Sequence, residues 1–227
     1  MTPWLPGVTE IRAVLLDFHH TLVDGGNAAD WLVAGWAGRE GTPSTGLGEA
    51  GAARVSDFLD RIWDHARDID PRSTRDEGPD RHRAVFLETM ARCPGVDTEL
   101  AESLYTAMPG QWTAYEDTRP VLDSLRQRGI ATAIVSNVGF DLRPIIARAG
   151  IEVDALVMSY EVGSVKPDPG IFRRALDLVG AAPEEALMVG DSWRDDAGAA
   201  ALGIRTLLLP RTTGRTHGLA AVLGLLG

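Results

Sequence analysis

The sequence is poor in cysteine and has no long apolar run. Cys93 is the single cysteine among 227 residues, which excludes an intramolecular disulfide and a zinc site built from cysteines. Residues 1–12 lack a basic segment followed by an apolar core, and no apolar run approaches the ~20 residues of a membrane helix. We therefore expect a cytoplasmic protein that does not interact with a membrane.

Positive charge is also scarce. The 22 basic residues face 32 acidic ones, a net charge of −10, which disfavours nucleic acid as a partner because a phosphate backbone needs a basic surface. All but one of the basic residues are arginines, and Lys166 is the exception. A lone lysine in such a composition suggests that a compact ammonium group is needed there, although a surface lysine without a role is the alternative.

A short apolar segment near the beginning of the chain ends at a carboxylate. Val14, Leu15 and Leu16 are typical of a buried strand, and Asp17 follows them. In open α/β sheets, ligands bind beyond the carboxyl ends of the strands. Asp17 is therefore a candidate for chemistry, with an aspartate that caps a turn as the alternative.

The chain from residue 24 to about residue 115 shows helical periodicity. The predicted helices are Ala28–Arg39, Leu47–Arg67, Arg81–Arg92 and Thr98–Met108, and Asp97 is the expected N-cap of the last one. Aromatic residues on these helices are expected to form the core of a small bundle, namely Trp31, Trp36, Phe58, Trp63 and Phe86. Four charged or polar residues are expected on solvated helix faces, with a cleft as the alternative, namely His65, Arg67, His82 and Arg83.

After residue 116, strands alternate with helices of about ten residues, which is typical of βαβ units and a parallel sheet. The predicted strands are Ile130–Val135, Ala155–Ser159, Ala186–Val189 and Arg205–Leu209. The predicted fold class is therefore α/β, with a Rossmann-like parallel sheet built by residues 1–23 and 116–227. A helical bundle formed by residues 24–115 interrupts this sheet after its first strand.

Polar groups fall at or beside the ends of these strands in a fixed order. They read Asp17-Phe18-His19-His20-Thr21, Ser136-Asn137, Lys166-Pro167 and Gly190-Asp191-Ser192-Trp193-Arg194-Asp195-Asp196. This order resembles the four motifs of the haloacid dehalogenase (HAD) superfamily, and the resemblance covers the whole chain. The helical insertion is similar to the type-1 cap of that family.

The resemblance implies a role for each motif residue. Asp17 would be the nucleophile that becomes an aspartyl phosphate. Asp17, Asp191 and the backbone carbonyl of His19 would hold Mg²⁺, whose preferred ligands are oxygens. The phosphoryl group would be bound by Ser136, Asn137 and Lys166. In a supporting position, Asp195 would reach the metal through water and Asp196 would orient Lys166.

One position departs from the family pattern. In the family's phosphatases, the second residue after the nucleophile is an aspartate that acts as general acid and base, and His19 stands there in this chain. A general acid is worth about 10² to 10⁴ in rate. His19 is a possible replacement, because an unperturbed imidazole has a pKa of about 6.5, and we expect it to titrate within about one unit of neutrality.

The sequence thus predicts a magnesium-dependent phosphatase that acts on a small phosphorylated metabolite. The alternatives are a dehalogenase-like hydrolase, a phosphotransferase, and a catalytically weak or silent phosphate-binding protein. The acids at 191, 195 and 196 count against a dehalogenase, which needs no metal. Carbon–phosphorus cleavage through a lysine of the insertion is excluded, because the insertion contains no lysine.

Overall fold

The computed structural model describes residues 9–37, 47–212 and 214–226. Strands lie at β1 Ala13–Leu16, β2 Val23–Asp24, β3 Thr113–Ala114, β4 Ala131–Ser136, β5 Ala155–Met158, β6 Ala186–Gly190 and β7 Arg205–Leu208. Helices lie at α1 Ala28–Ala37, α2 Gly48–Leu59, α3 Ile62–Ala66, α4 Pro79–Met90, α5 Thr98–Gln111, α6 Thr118–Gln127, α7 Arg143–Ala149, α8 Ser159–Val162 and α9 Pro169–Val179. Short 3₁₀ helices lie at Thr74–Glu77, Pro183–Glu185, Asp196–Leu202 and Leu219–Gly224.

Five strands form one parallel sheet in the order β5-β4-β1-β6-β7. The central strand β1 is fully buried and pairs with β4 on one side and with β6 on the other. Its alternate residues serve the two faces of the sheet: Val14 and Leu16 belong to one apolar cluster, and Ala13 and Leu15 to another that contains α9. The predicted α/β class with a parallel sheet is confirmed.

The helices α1 to α5 lie between β2 and β3 and pack on one another. Trp31 and Phe86 are buried among them, while Trp36, Phe58 and Trp63 are partly buried against the same cluster. The aromatic residues therefore form a bundle core as predicted. The prediction of one continuous helix over 47–67 is wrong, because the chain turns at residues 60–61 and α3 starts anew. Residues 38 and 39 of the first predicted helix lie outside the described residues.

A two-stranded antiparallel ribbon lies where the chain enters and leaves this helical region. Val23 pairs with Ala114, and Asp24 pairs with Thr113. Strands of two residues are too short to show an alternating pattern, so the sequence did not reveal them. The predicted domain boundaries at 24 and 115 stay a prediction, and the ribbon lies close to both.

The loop after β4 and the start of α8 contact the helical region. The Ser159 hydroxyl lies 2.5 Å from the carbonyl oxygen of Asp76 and accepts the Val138 N–H at 2.9 Å. A side chain at Gly139 would place its Cβ 2.3 Å from Cβ of His82. Glycine is therefore required for this close approach.

Cys93 is buried among the apolar residues of the core. The segment after β6 contains the 3₁₀ helix from Asp196 to Leu202. Across the described ranges, no helix combines the length and the apolar character that a bilayer crossing requires.

We expect Ser159→Ala to destabilise the fold by about 1–3 kcal/mol, because the buried Asp76 carbonyl and Val138 N–H would lose their partner. Urea unfolding measures the change. Thr106→Ala is the matched control, since it removes an exposed hydroxyl that donates to the Glu102 carbonyl of its own helix. Equal stability of the two variants would show that Ser159 does not hold the helical region to the sheet.

Candidate active site

The carboxyl ends of β1, β4 and β6 bring most of the predicted residues to one edge of the sheet. Asp17 directly follows β1, and its N–H extends the pairing by donating to Val189 O at 2.8 Å. Asn137 and Asp191 follow β4 and β6. Because parallel strands end at the same edge, three distant sequence positions become neighbours there.

Lys166 lies at the centre of this arrangement. Its Nζ donates to Asp17 Oδ1 and to Asp196 Oδ1, both at 2.6 Å, and the residue is only 3% exposed. Burial by itself lowers the pKa of Lys166, but the two carboxylates outweigh burial and raise the pKa above its ordinary value. The single lysine of the chain is therefore a buried ammonium group.

Asn137 holds the backbone of Lys166. Its Nδ2 donates to Lys166 O at 3.0 Å, and its Oδ1 accepts the Lys166 N–H at 2.7 Å. This reciprocal pair places the lysine, which is a role that sequence reasoning did not assign. Ser136 is the buried last residue of β4. Phosphate binding by Ser136 and Asn137 stays a prediction.

Three carboxylates cluster beside the ammonium group. Asp17, Asp191 and Asp196 each offer an oxygen within 4.8 Å of the others. Burial raises the pKa of all three, and that of Asp196 reaches about 6. Lys166 and Arg211 supply two positive charges against these three negative ones, with Arg211 Nε 2.5 Å from Asp191 Oδ2.

The cluster differs in part from the predicted metal ligands. Asp196 contacts Lys166 as predicted and also lies within the cluster. Asp195 accepts a hydrogen bond from Ser192 Oγ at 2.7 Å and lies 3.5 Å from Arg67. Its predicted contact with a metal through water stays a prediction, as does the role of the His19 carbonyl.

Two hydrogen bonds fix the carboxylates. Thr21 Oγ1 donates to Asp17 Oδ2 at 3.0 Å, and the Ser192 N–H donates to Asp196 Oδ2 at 2.9 Å. Sequence reasoning quoted Thr21 and Ser192 within motifs but gave them no role. Each Asp17 oxygen has a donor, one from Lys166 and one from Thr21, so the carboxylate is oriented before any ligand arrives.

His19 lies between the site and the helical region. Its ring stacks on Trp112 with centroids 4.3 Å apart, and within the described ranges its Nε2 has no hydrogen-bond partner. A Cβ at Gly25 would come within 2.8 Å of that nitrogen. Burial, helped by His20 and Arg211, lowers the pKa of His19 well below its ordinary value. The expectation that His19 titrates near neutrality is therefore wrong, because desolvation dominates.

A cavity that is open to solvent joins these residues to the helical region. Its wall on that side contains Trp63, Arg67, Arg75, Asp76 and His82. His82 is buried and Arg67 is half-buried, so the prediction of solvated helix faces is wrong for both. Arg83 is exposed, as predicted, and it pairs with Glu102. The helical period of 3.6 residues identifies the polar face of a helix, but it does not show whether that face lines a cleft or contacts bulk solvent, because polar side chains occur in both places.

A model of the haloacid dehalogenase-like hydrolases matches residues 11–203 of the sequence. The chain belongs to this family. Among curated relatives, phosphoserine phosphatase of Thermus thermophilus is 38% identical over 141 residues, which are 59% of this chain and 56% of that protein. The chain spans about half the length of the curated relatives it matches.

Solved structures of the family share the fold. A HAD phosphatase from Thermococcus onnurineus has a TM-score of 0.64 at 22% identity, covering 96% of this chain and 98% of that one. The L-2-haloacid dehalogenase from Xanthobacter autotrophicus has a TM-score of 0.65 at 22% identity, covering 96% of this chain and 84% of that one. Phosphatases and dehalogenases thus share this fold, so the fold by itself does not distinguish between the two activities.

We expect Lys166→Gln to destabilise the fold by about 3–5 kcal/mol, because it leaves the buried Asp17 and Asp196 without their cation. Combining it with Asp196→Asn should cost less than the sum of the two single changes. Urea unfolding of the three variants measures this coupling. Arg12→Gln, which removes an exposed pair with Glu185, should change stability by less than about 1 kcal/mol. Additive effects at 166 and 196 would contradict the buried pairing.

Proposed function

We propose that the chain is a magnesium-dependent phosphatase that removes phosphate from a small phosphorylated metabolite through an aspartyl phosphate on Asp17. The observation that carries the proposal is the buried ammonium group of Lys166, held between Asp17 and Asp196 beside a three-carboxylate cluster. A carboxylate can attack a phosphate dianion only where positive charge offsets the repulsion.

The donor chemistry of the cluster fits Mg²⁺. Asp17, Asp191 and Asp196 offer carboxylate oxygens, the ligand type that this ion prefers. Their negative charge exceeds the positive charge of Lys166 and Arg211, so a divalent cation complements them. When bound, the ion would neutralise phosphoryl charge as a Lewis acid. Asp17 and Asp191, with the carbonyl of residue 19, are the ligands we propose, and Asp196 is close enough to join them.

The residues of the chain perform the chemical steps. One Asp17 oxygen forms a bond to phosphorus while the bond from phosphorus to the leaving oxygen breaks, and that oxygen takes the electron pair and a proton. Lys166 and Ser136 hold the phosphoryl oxygens. Water then attacks the phosphorus of the aspartyl phosphate, which returns the Asp17 carboxylate and releases inorganic phosphate.

His19 is our candidate for moving the protons; because burial holds its pKa well below the ordinary value, the resting imidazole is neutral, and the protonated form that gives the leaving oxygen its proton is a minority species at pH 7. It lines the cavity, and among the residues the structure describes its Nε2 has no partner that would compete for a proton. The ring is held against Trp112, so it is positioned before substrate binds. An imidazole here replaces the family's second aspartate with a longer side chain.

Carbon–halogen hydrolysis is the second candidate. It also uses an aspartyl ester, and the histidine at position 19 favours it, since the family's dehalogenases likewise lack the second aspartate. The three-carboxylate cluster favours the phosphatase, because a dehalogenase has no need of a cation there. A silent phosphate-binding protein would keep the pocket without turnover.

The metal test uses 4-nitrophenyl phosphate, with free phosphate as the readout. We expect release with Mg²⁺ and its loss in EDTA. Asp191→Asn should lower the rate at least tenfold and weaken Mg²⁺ binding measured by calorimetry, because it removes one charge from the cluster. Asp123→Asn, an exposed aspartate paired with Arg126, is the matched control. Turnover of 2-chloropropionate that persists in EDTA would support the dehalogenase instead. Binding of a phosphate compound without turnover would support the silent phosphate-binding protein.

The role of His19 is tested with leaving groups of different basicity. We expect His19→Ala to lose turnover of alkyl phosphates, whose leaving oxygen needs a proton, while the phosphorylation step with aryl phosphates is spared. His19→Asp should support turnover of both. Rapid-quench measurement of the aspartyl phosphate should show a longer-lived intermediate in His19→Ala. Equal rates of wild type and His19→Ala across all leaving groups would make His19 a bystander.

A further inference from the structure

The 3₁₀ helix Thr74–Glu77 presents two buried charges of opposite sign to the cavity. Arg75 is 6% exposed and Asp76 is 4% exposed. Both line the same cavity as Asp17 and Lys166, on the wall opposite the sheet. Charged residues are almost never buried to this extent unless they are well paired.

The segment that carries them is fixed at both ends. The Asp70 carboxylate accepts the N–H groups of Thr74 at 3.1 Å and Arg75 at 2.6 Å, as well as the Thr74 hydroxyl at 2.8 Å. On the other side, the Asp76 carbonyl contacts Ser159 Oγ. The two side chains are therefore held in place relative to the sheet and to Asp17.

Arg75 and Asp76 form only a long, weak ion pair with each other. Arg75 Nη2 lies 3.5 Å from Asp76 Oδ2, whereas a charge-assisted hydrogen bond measures about 2.7–2.9 Å. Arg75 Nη1 donates to Ser73 Oγ at 3.3 Å, its guanidinium lies over Trp63, and its Nε has no partner within the described part of the chain. A loose buried pair contributes little to stability, so stability does not explain its presence.

The neighbours of Asp76 do not complete the pairing. His82 Nε2 is 3.7 Å from Asp76 Oδ1, and burial lowers the pKa of His82 to about 3, so this ring is neutral at pH 7. Burial raises the pKa of Asp76 to about 6 against the opposing effect of Arg75, with smaller effects of Asp70, Asp195 and Arg67. Above pH 7, the 3₁₀ segment thus offers one cation and one anion with unused hydrogen-bonding capacity, and the other arginine on this wall, Arg67, lies 3.5 Å from Asp195.

We propose that Arg75 and Asp76 form the subsite for the leaving group, and that the preferred leaving group is a zwitterion with a carboxylate for Arg75 and an ammonium group for Asp76. The substrate class is then the phosphomonoesters of hydroxy amino acids. The proposal rests on the proposed phosphatase activity. A leaving group with one charge would leave the opposite charge on the wall unpaired, which costs affinity.

The test uses four alkyl phosphates that differ by one group at a time, with phosphate release as the readout. They are O-phosphoserine, 3-phosphoglycerate without the ammonium group, O-phosphoethanolamine without the carboxylate, and ethyl phosphate without either. We expect kcat/KM for O-phosphoserine to exceed that of each singly modified compound by about tenfold or more, since hydrogen bonds to charged groups are worth about 1.5–3 kcal/mol.

Variants assign each preference to its residue. In Arg75→Gln, the ratio of O-phosphoserine to O-phosphoethanolamine should fall towards one, while the ratio to 3-phosphoglycerate persists. In Asp76→Asn, the ratio of O-phosphoserine to 3-phosphoglycerate should fall towards one, while the ratio to O-phosphoethanolamine persists. Ratios within one variant do not depend on the folded fraction, so partial unfolding cannot imitate the result. Arg83→Gln, an exposed arginine paired with Glu102, should leave every ratio unchanged.

Two outcomes overturn the inference. One is release of phosphate from all four compounds at similar kcat/KM, which leaves the phosphatase intact but removes the zwitterion subsite. The other is unchanged ratios in both variants. If no compound releases phosphate, the proposed activity fails instead, and calorimetric titration of Asp17→Asn with the four compounds decides the subsite without turnover. Equal affinities in that titration overturn it, and selective binding of O-phosphoserine supports it.

Discussion

The structure of the site depends on one buried contact, that of the Lys166 ammonium group with Asp17 and Asp196. A buried carboxylate without a counterion either takes up a proton or destabilises the fold around it. Asp17 can stay at the carboxyl end of β1 only because Lys166 is there, and Lys166 is there because Asn137 holds its backbone from the end of β4. Three strands of the sheet thus meet through one ammonium group, which links the fold to the charge of the site.

Much of this could be predicted from the sequence. The parallel sheet follows from short apolar segments separated by helices, and the cluster at its edge follows from polar residues at strand ends. The lone lysine was informative because the rest of the chain uses arginine. Strand boundaries were within one or two residues, as for β4 and β6, because burial on both faces gives a continuous apolar run.

Other features of the site cannot be predicted from local patterns in the sequence. Arg75, Asp76 and His82 share a cavity wall with Asp17 only after the helical region folds against the loop after β4, and no spacing in the sequence encodes that contact. Burial lowers the pKa of His19, and one face of its ring is covered by Trp112, 93 positions later in the chain. Arg211 reaches Asp191 from the segment after β7. Each of these features depends on tertiary contacts, which periodicity and motif spacing do not predict.

The short β2–β3 ribbon has a mechanical consequence for the site. Two residue pairs form the whole ladder between the chain's exit into the helices and its return. The His20 N–H is bonded to Val23 O at 2.7 Å, and His20 itself has a φ of 64°. The turn that carries His19 and follows Asp17 is therefore supported by the same short ribbon that returns the chain from the helices to the sheet. The base of the helical region and the residue beside the nucleophile thus share one backbone support.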